Sequence, residues 1–452
     1  MSTTPTVEPA AASRGFSGEI VADGHPAYDE ARATFNALID RRPVAIARCR
    51  STEDVAIALA VAREQELPVA VRGGGHNVAG HAVCDGGLVV DLTELGGVEV
   101  DPDARIARAG GGAVWQAFDT ATAPHGLAAP GGTFFTTGVG GLTLGGGIGF
   151  LIGRHGLSCD NLVAAEVATV AGDVLTASED EHPELFWALR GGGGNFGVVT
   201  RFDFRLHELR EIVGGFLVYS YDAAPDVLRV FRDVAQSAPD DFSTQAVVSR
   251  DRQTGERLAA VIVCSSGPVE EPDGLRELRA APGLVTDDVK RRPYLELQLS
   301  QDLPFGLRHY WKGHFVRELP NVLLDELCAR YDAAPQPPGA VLIEAIHGAA
   351  KRVPTDATAV GFRDAAFNVS ALGIWQDPSF DDHGIAWARD TAAAIAPFSL
   401  SGGGYLNYMQ ADEPLERVRA AYGAERFERL RAVKRRYDPE NVLRFNQNVP
   451  PA

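Results

Sequence analysis

An α+β chain with a large second sheet is what this sequence predicts, on three grounds. A strand–helix–strand pattern begins near residue 43, three dense glycine blocks follow before residue 200, and beyond residue 210 long alternating strands interleave with helical runs. The 452 residues suffice for one large core or for two unequal ones.

In chain order, residues 1–15 are rich in Thr, Pro, Ala and Ser and predict a mobile tail. A helix is expected from Tyr28 to Asp40, then a strand over PVAIARC (43–49). Ser51 with Asp54 resembles a capping box that starts the helix DVAIALAVAREQ. PVAVR (68–72) and GLVVDL (87–92) read as strands, as do the two halves of LVAAEVATVAGDVLTAS (162–178) around Gly172-Asp173. Past residue 210, GGFLVYSYD, RLAAVIVCSS, GAVLIEAIHG and AAFNVSALGIW alternate with helices such as DVLRVFRDVAQS and IAWARDTAAAIA. That pattern predicts a sheet with helices on one face. A charged helix over 415–437, ending at Pro439, closes the chain. No repeat of 20–50 residues occurs.

Composition removes several function classes. Forty-two Lys+Arg against 60 Asp+Glu leave a net charge of −18, which argues against nucleic acid and anionic membranes as partners. The five cysteines form no CxxC pair, so neither a disulfide framework nor a thiolate zinc site is supported. With no basic-then-apolar leader and no apolar run long enough to span a membrane, the expectation is a cytoplasmic protein with reduced thiols.

Glycine is the outlier, with 49 residues. The blocks are RGGGHNVAG (72–80), GGTFFTTGVGGLTLGGGIGFLIG (131–153) and RGGGGNFGVV (190–199). Such clusters make tight turns, or bring backbone N–H groups close to a phosphate or pyrophosphate. Three blocks within one region favour the second role. The pattern GxxxxGK[ST] is absent, and the one GxGxxG (192–197) follows a helix and precedes a strand, the reverse of a dinucleotide fingerprint. His76 lies inside the first block; His81 follows five residues later, but no third ligand stands at metal spacing.

RGGGHNVAG, GVGGLTLGGGIGFLIGRHGLSCDN, ELFWALRGGGGNFGVVT and YDPENVLRFNQNVPP together resemble the berberine bridge enzyme-like FAD-linked oxidases of the vanillyl-alcohol-oxidase (PCMH-type) superfamily, which include bacterial hydroxynicotine and oligosaccharide oxidases. The resemblance implies a tail and helix (1–41), an FAD-binding domain of two α+β subdomains (42–210), a substrate domain whose antiparallel sheet roofs the flavin (211–400), and a segment returning to the FAD domain (401–452). It assigns cofactor contacts to Arg72, Gly73, Gly74, Gly75, His76, Asn77 and Gly80, to Thr136, Thr137, Gly138, Gly141 and Asp160, to Gly197 and Val199, and to Asn407, Asn446 and Asn448. His76 matches the histidine that binds the flavin 8α carbon covalently, a step that needs a neutral imidazole. Where many relatives carry a second, cysteinyl anchor this chain has Phe134, so a single link is implied, and Cys84 and Cys159 are left as small buried residues. Thr137 replaces the small aliphatic residue thought to govern oxygen access, which keeps a dehydrogenase open beside an oxidase.

YLNY (405–408) matches the family's substrate-side motif, making Tyr408 the base or the partner of the substrate hydroxyl; otherwise it is a core tyrosine. A phenol titrates near ~10, so a base needs its value depressed by a nearby cation. In GAVLIEAIHG, Ala340, Leu342, Glu344 and Ile346 share a face, and Asn368 and Ser370 share one in AAFNVSALGIW. Each polar residue there faces either a pocket or solvent, and Glu344 is the first choice for a pocket role, with Tyr310 and Lys312 behind it. The resemblance implies hydride transfer from an alcohol or amine to flavin N5, with oxygen reduced to hydrogen peroxide; a flavin-binding protein without turnover is the alternative outside enzymes. Partners are then a small-molecule substrate and oxygen. Monomer and homodimer both stay open, and an Ala/Arg/Gly/Asp-heavy, lysine-poor composition points to a GC-rich bacterial source, which would suit specialised metabolism.

Overall fold

The computed structural model describes residues 7–251, 254–334 and 339–452. β-Branched, apolar runs near the start form a four-stranded sheet in the order Glu19–Ala22, Ala45–Arg48, Leu88–Asp91, Val69–Arg72. The last three strands are mutually parallel, because the helix Thr52–Glu64 carries the chain across between the second and the fourth. Ser51 caps that helix by accepting from the Asp54 amide at 3.1 Å. The capping box is only half made: Asp54 turns its carboxylate to the amides of Ser17 and Arg50 instead.

A five-stranded antiparallel sheet comes next, in the order Val98–Asp101, Ile106–Gly110, Val198–Arg205, Leu162–Ala168, Val174–Ser178. The hairpin of the last two turns at Gly172, whose φ of 100° suits glycine. The largest sheet is antiparallel throughout and has eight strands. Six of its strands run in the order Glu211–Ser220, Arg257–Ser265, Phe242–Arg250, Ala340–Ala345, Phe367–Trp375 and Arg308–Val316, the last at the edge. Helices Ala224–Ser237, Asp273–Ala280, Asn321–Asp332 and Asp381–Ile395 pack on one face around Phe231, Val261, Leu324, Val341, Val369 and Trp387. Each such side chain contributes about 1.5–3 kcal/mol by leaving water. The other face turns toward the glycine blocks.

Three expectations are corrected. Residues 7–15 are not a loose tail: helix Val7–Ala12 buries Val7 and Ala11 in the core of the first sheet, while residues 1–6 lie outside the described residues. The helix expected over 28–40 stops at Arg32, because Phe35 and Asn36 are drawn into buried contacts with the second half of the chain. The C-terminal helix is two, Leu415–Tyr422 and Ala424–Tyr437, broken at Gly423 with φ 82°. Among the described residues, no helix is long and apolar enough to cross a membrane.

Candidate cofactor and catalytic site

The three glycine blocks, the turn at 405–408 and the segment 443–447 converge on one cavity of about 1570 Å³, part of it open to solvent. Gly74 and Gly138 show why glycine is required. A Cβ on Gly74 would sit 2.5 Å from the Gly138 nitrogen, and one on Gly138 would sit 2.6 Å from the Gly74 nitrogen. The first two blocks therefore meet backbone against backbone. Gly74→Ala is expected to destabilise the fold by about 1–3 kcal/mol through overpacking and to empty the site, read as a lower thermal midpoint and reduced cofactor content of purified protein.

No Asp, Glu, Lys or Arg side chain among the described residues lines this cavity. Among the described residues, the backbone N–H groups of Gly74, Gly75, His76 and Asn77 donate to no protein group. An anionic cofactor would therefore be met by oriented amides rather than by cations, the arrangement of a backbone nest. A wall of glycine backbone with unpaired amides suits the pyrophosphate of a dinucleotide.

His76 sits in this wall, its Nε2 buried without a hydrogen-bond partner. Phe35 stacks on the imidazole with ring centres 4.3 Å apart, and Phe305 meets it edge-on at 5.4 Å. Phe35 is backed in turn by His309 at 4.3 Å. Burial lowers the His76 pKa to about 4, so the ring is neutral and nucleophilic at physiological pH. His81 is also in the wall, is also lowered to about 4 by burial, and has both ring nitrogens unpartnered.

The turn Leu406–Tyr408 is pinned onto the second glycine block. The Tyr405 hydroxyl accepts from the Gly147 and Ile148 amides at 3.2 Å each, and Asn407 donates to the Leu142 carbonyl at 3.1 Å. Tyr408 thereby reaches the cavity, with its hydroxyl donating to Glu344 at 3.3 Å. Asn368 donates to the other oxygen of Glu344 at 2.7 Å. Burial raises Glu344 to about 7, partly offset by those two hydrogen bonds. No cation among the described residues depresses Tyr408, as a base would need: burial and Glu344 push the phenol well above its ordinary value. The acid–base capacity of the site therefore lies in the carboxyl, with the phenol as its contact to the cavity.

Of the residues anticipated as cofactor contacts, Gly73, Gly74, Gly75, His76, Asn77, Thr137, Gly138, Gly141, Gly197, Val199, Asn407 and Asn446 line the cavity. Five do not. Arg72 lies beneath the first block, donating to the Ala31 carbonyl and standing 3.8 Å from Asp91. Gly80 turns against Ile39. Thr136 donates to Asp302 at 2.7 Å, and Asp160 is consumed in a buried ion pair with Arg363 at 2.6 Å. Asn448 lies outside the wall with its Oδ1 buried and unpartnered. Glu344, Asn368 and Ser370 are buried, which rules out solvent-facing roles. Tyr310 and Lys312 turn away from the cavity, to Asp412 at 2.8 Å and Glu413 at 2.6 Å. Strand alternation then brings Trp311, not anticipated, into the cavity wall, where it meets Tyr408 edge-on at 5.2 Å. Phe35, Phe305, Gly193, Gly194 and Gln447 were also missed. Only the two glycines had a signal, in a third block whose GxGxxG is nevertheless not a dinucleotide fingerprint. Cys84 and Cys159 are buried and free, and Phe134 lines the cavity.

Comparison with known proteins agrees on the cofactor. The family pattern described as "FAD binding domain" matches residues 43–178, and "Berberine and berberine like" matches residues 404–450. The (R)-6-hydroxynicotine oxidase of Paenarthrobacter nicotinovorans is 34% identical over 455 residues, covering 96% of this chain and 97% of its own. The crystal structure of 6-hydroxy-D-nicotine oxidase from Arthrobacter nicotinovorans is 32% identical and superposes with a TM-score of 0.87, over 97% of this chain and 98% of that one. Glucooligosaccharide oxidase from Acremonium strictum, which carries a 6-S-cysteinyl, 8α-N1-histidyl FAD, shares the fold at 24% identity, with a TM-score of 0.86 over 99% of each chain.

Proposed function

The chain belongs to the berberine bridge enzyme-like FAD-linked oxidoreductases, and from that premise we propose that it is an oxidase whose FAD is held by one covalent bond, to His76. In this reading residues 42–210 and 401–452 hold the cofactor, and 211–400 supply the substrate face. FAD held there would supply a two-electron acceptor for a substrate carbon–hydrogen bond, with oxygen as the terminal acceptor. The protein's share is positioning and proton handling. His76 is half-buried, neutral and clasped by Phe35 and Phe305, as an attachment nucleophile requires. Phe134 offers no thiolate for a second bond. The observation that carries the reading is the Tyr408–Glu344 pair at 3.3 Å, set at the edge of a cavity walled by glycine backbone. Tyr408 takes a proton from the substrate's hydroxyl or amine and hands its own to Glu344.

Purified protein is expected to be yellow, with the colour staying in the acid-precipitated pellet and an intact mass raised by one FAD. In His76→Ala the flavin should leave with the supernatant; colour extracted from the unaltered protein would refute the bond. Anaerobic addition of substrate should bleach the flavin, and air should restore it with one peroxide per turnover. Thr137 in the cavity wall favours a second reading, a dehydrogenase. Bleached flavin that reoxidises slowly in air but rapidly with an artificial acceptor would establish it.

A further inference from the structure

On the reading of this cavity as a flavin-linked oxidation site, on which the inference rests, we infer that the substrate is a compact, largely apolar amine, bound as its ammonium cation against the Tyr408–Glu344 pair. The first ground is the surface it meets. The sheet face beside the cavity presents Trp311, Leu342, Leu372, Ile374 and Val247, which form one apolar cluster with Phe134 and Tyr408. Polar groups on this face are few: Gln245 stands opposite Glu344, the Asn368 amide is given to Glu344, and the Ser370 hydroxyl lies 3.4 Å from the Asn368 oxygen. A sugar would bring many hydroxyl groups to a surface that can pair only a few of them, and each group left unpaired weakens binding.

The second ground is charge. Among the described residues the cavity wall has no ionised side chain, and the carboxyl of Glu344 stands just behind Tyr408. Its partners are a phenol and an amide, with no cation among the described residues against it. The cations nearest in the fold are turned elsewhere: Lys312 to Glu413 at 2.6 Å, Arg417 to Glu413 at 3.2 Å and Arg389 to Asp412 at 2.5 Å. A buried carboxylate without a counter-ion is unfavourable, and a ligand that brings the missing charge completes the pair. An ammonium group suits Tyr408, whose oxygen accepts its N–H while the phenolic O–H donates to Glu344. Proton transfer then balances. The N–H bond breaks as the ammonium proton moves to the Tyr408 oxygen, the Tyr408 proton moves to Glu344, and cation and carboxylate end as neutral amine and carboxylic acid.

The test measures binding to the flavin-loaded protein, read as perturbation of the flavin absorbance under anaerobic conditions. The probes are ring-bearing secondary amines such as N-methylbenzylamine, their neutral isosteres such as benzyl methyl ether, and glucose and cellobiose. The amine is expected to bind at least about tenfold more tightly than its ether, and the sugars to give no perturbation at matched concentrations. In Glu344→Gln the amine-to-ether ratio should fall to near one, and in Glu344→Asp, which keeps the charge, most of the preference should return. Flavin content and circular dichroism report whether each variant is folded. Equal binding of amine and ether, a preference that survives Glu344→Gln, or tighter binding of a sugar would overturn the inference while leaving the oxidase reading intact. A folded preparation without flavin would overturn the oxidase reading itself.

Discussion

Replacing Tyr408 with phenylalanine is expected to slow reduction of the bound flavin by substrate by about 10²–10⁴-fold in single turnover. The ring packing against Trp311 survives in this variant, so the loss reports the hydroxyl alone. Glu344→Gln should fall into the same range, and the double variant should be little worse than either single one, because the two groups act as a unit. With Glu344 raised to about 7, the base is ionised only at and above that pH, so kcat/KM should rise through neutrality and level off on the alkaline side. The groups facing Glu344 are Tyr408, Tyr405, Asn368 and, across the neighbouring strand pair, Gln245. None of these is a cation that would pull the midpoint down, and Glu344→Gln should flatten the rise. A rate unchanged in Tyr408→Phe would remove the residue from the chemistry.

The same burial has a consequence for stability. The folded protein holds a proton on Glu344 that the unfolded chain releases near 4.5, so folded stability should fall as pH rises from there to about 7 and then level off.

The second large effect concerns the C-terminal segment. Lys434 and Asp438 form an ion pair at 2.6 Å with both side chains fully buried. Lys434 also donates to the carbonyls of Asn195 at 2.8 Å and Leu443 at 2.9 Å, while Asp438 accepts from the amides of Val442 and Leu443. The pair thus ties the last helix to the third glycine block and to the strand of chain that carries Asn446 and Gln447 into the cavity wall. Lys434→Met leaves a buried carboxylate unpaired and should destabilise the protein by about 3–5 kcal/mol, measured as a shift in the urea midpoint. Because the wall loosens with it, noncovalently held flavin in a His76→Ala background should be lost as well. A shift below about 1 kcal/mol would mean that the carboxylate finds another partner or a proton.

Much of the cofactor site was legible in the sequence because it is made of backbone. A glycine block is a local message: Gly74 and Gly138 must lack side chains for two segments to touch, and that need is written in the residue type itself. Strand alternation likewise foretold that Glu344 shares its face with Leu342, and the same rule applied to RHYWKGHF would have selected Trp311 over Tyr310 and Lys312.

Pairings between distant segments were decided only by the fold. Asp160 reads as a site residue in sequence, yet Arg363, two hundred residues away, claims it. Phe35 falls in a run expected to be helical, but its ring is needed between His76 and His309, and the helix stops short at Arg32. Tyr408 would need a nearby cation to serve as a base and meets a carboxyl instead, which leaves its phenol well above the ordinary value. The sequence by itself therefore determined the fold class and the glycine cradle, since these depend on residue type and local spacing. Whether Tyr408 or Glu344 carries charge was decided by the tertiary structure, because a pKa depends on burial and on neighbours that only folding brings within a few ångströms.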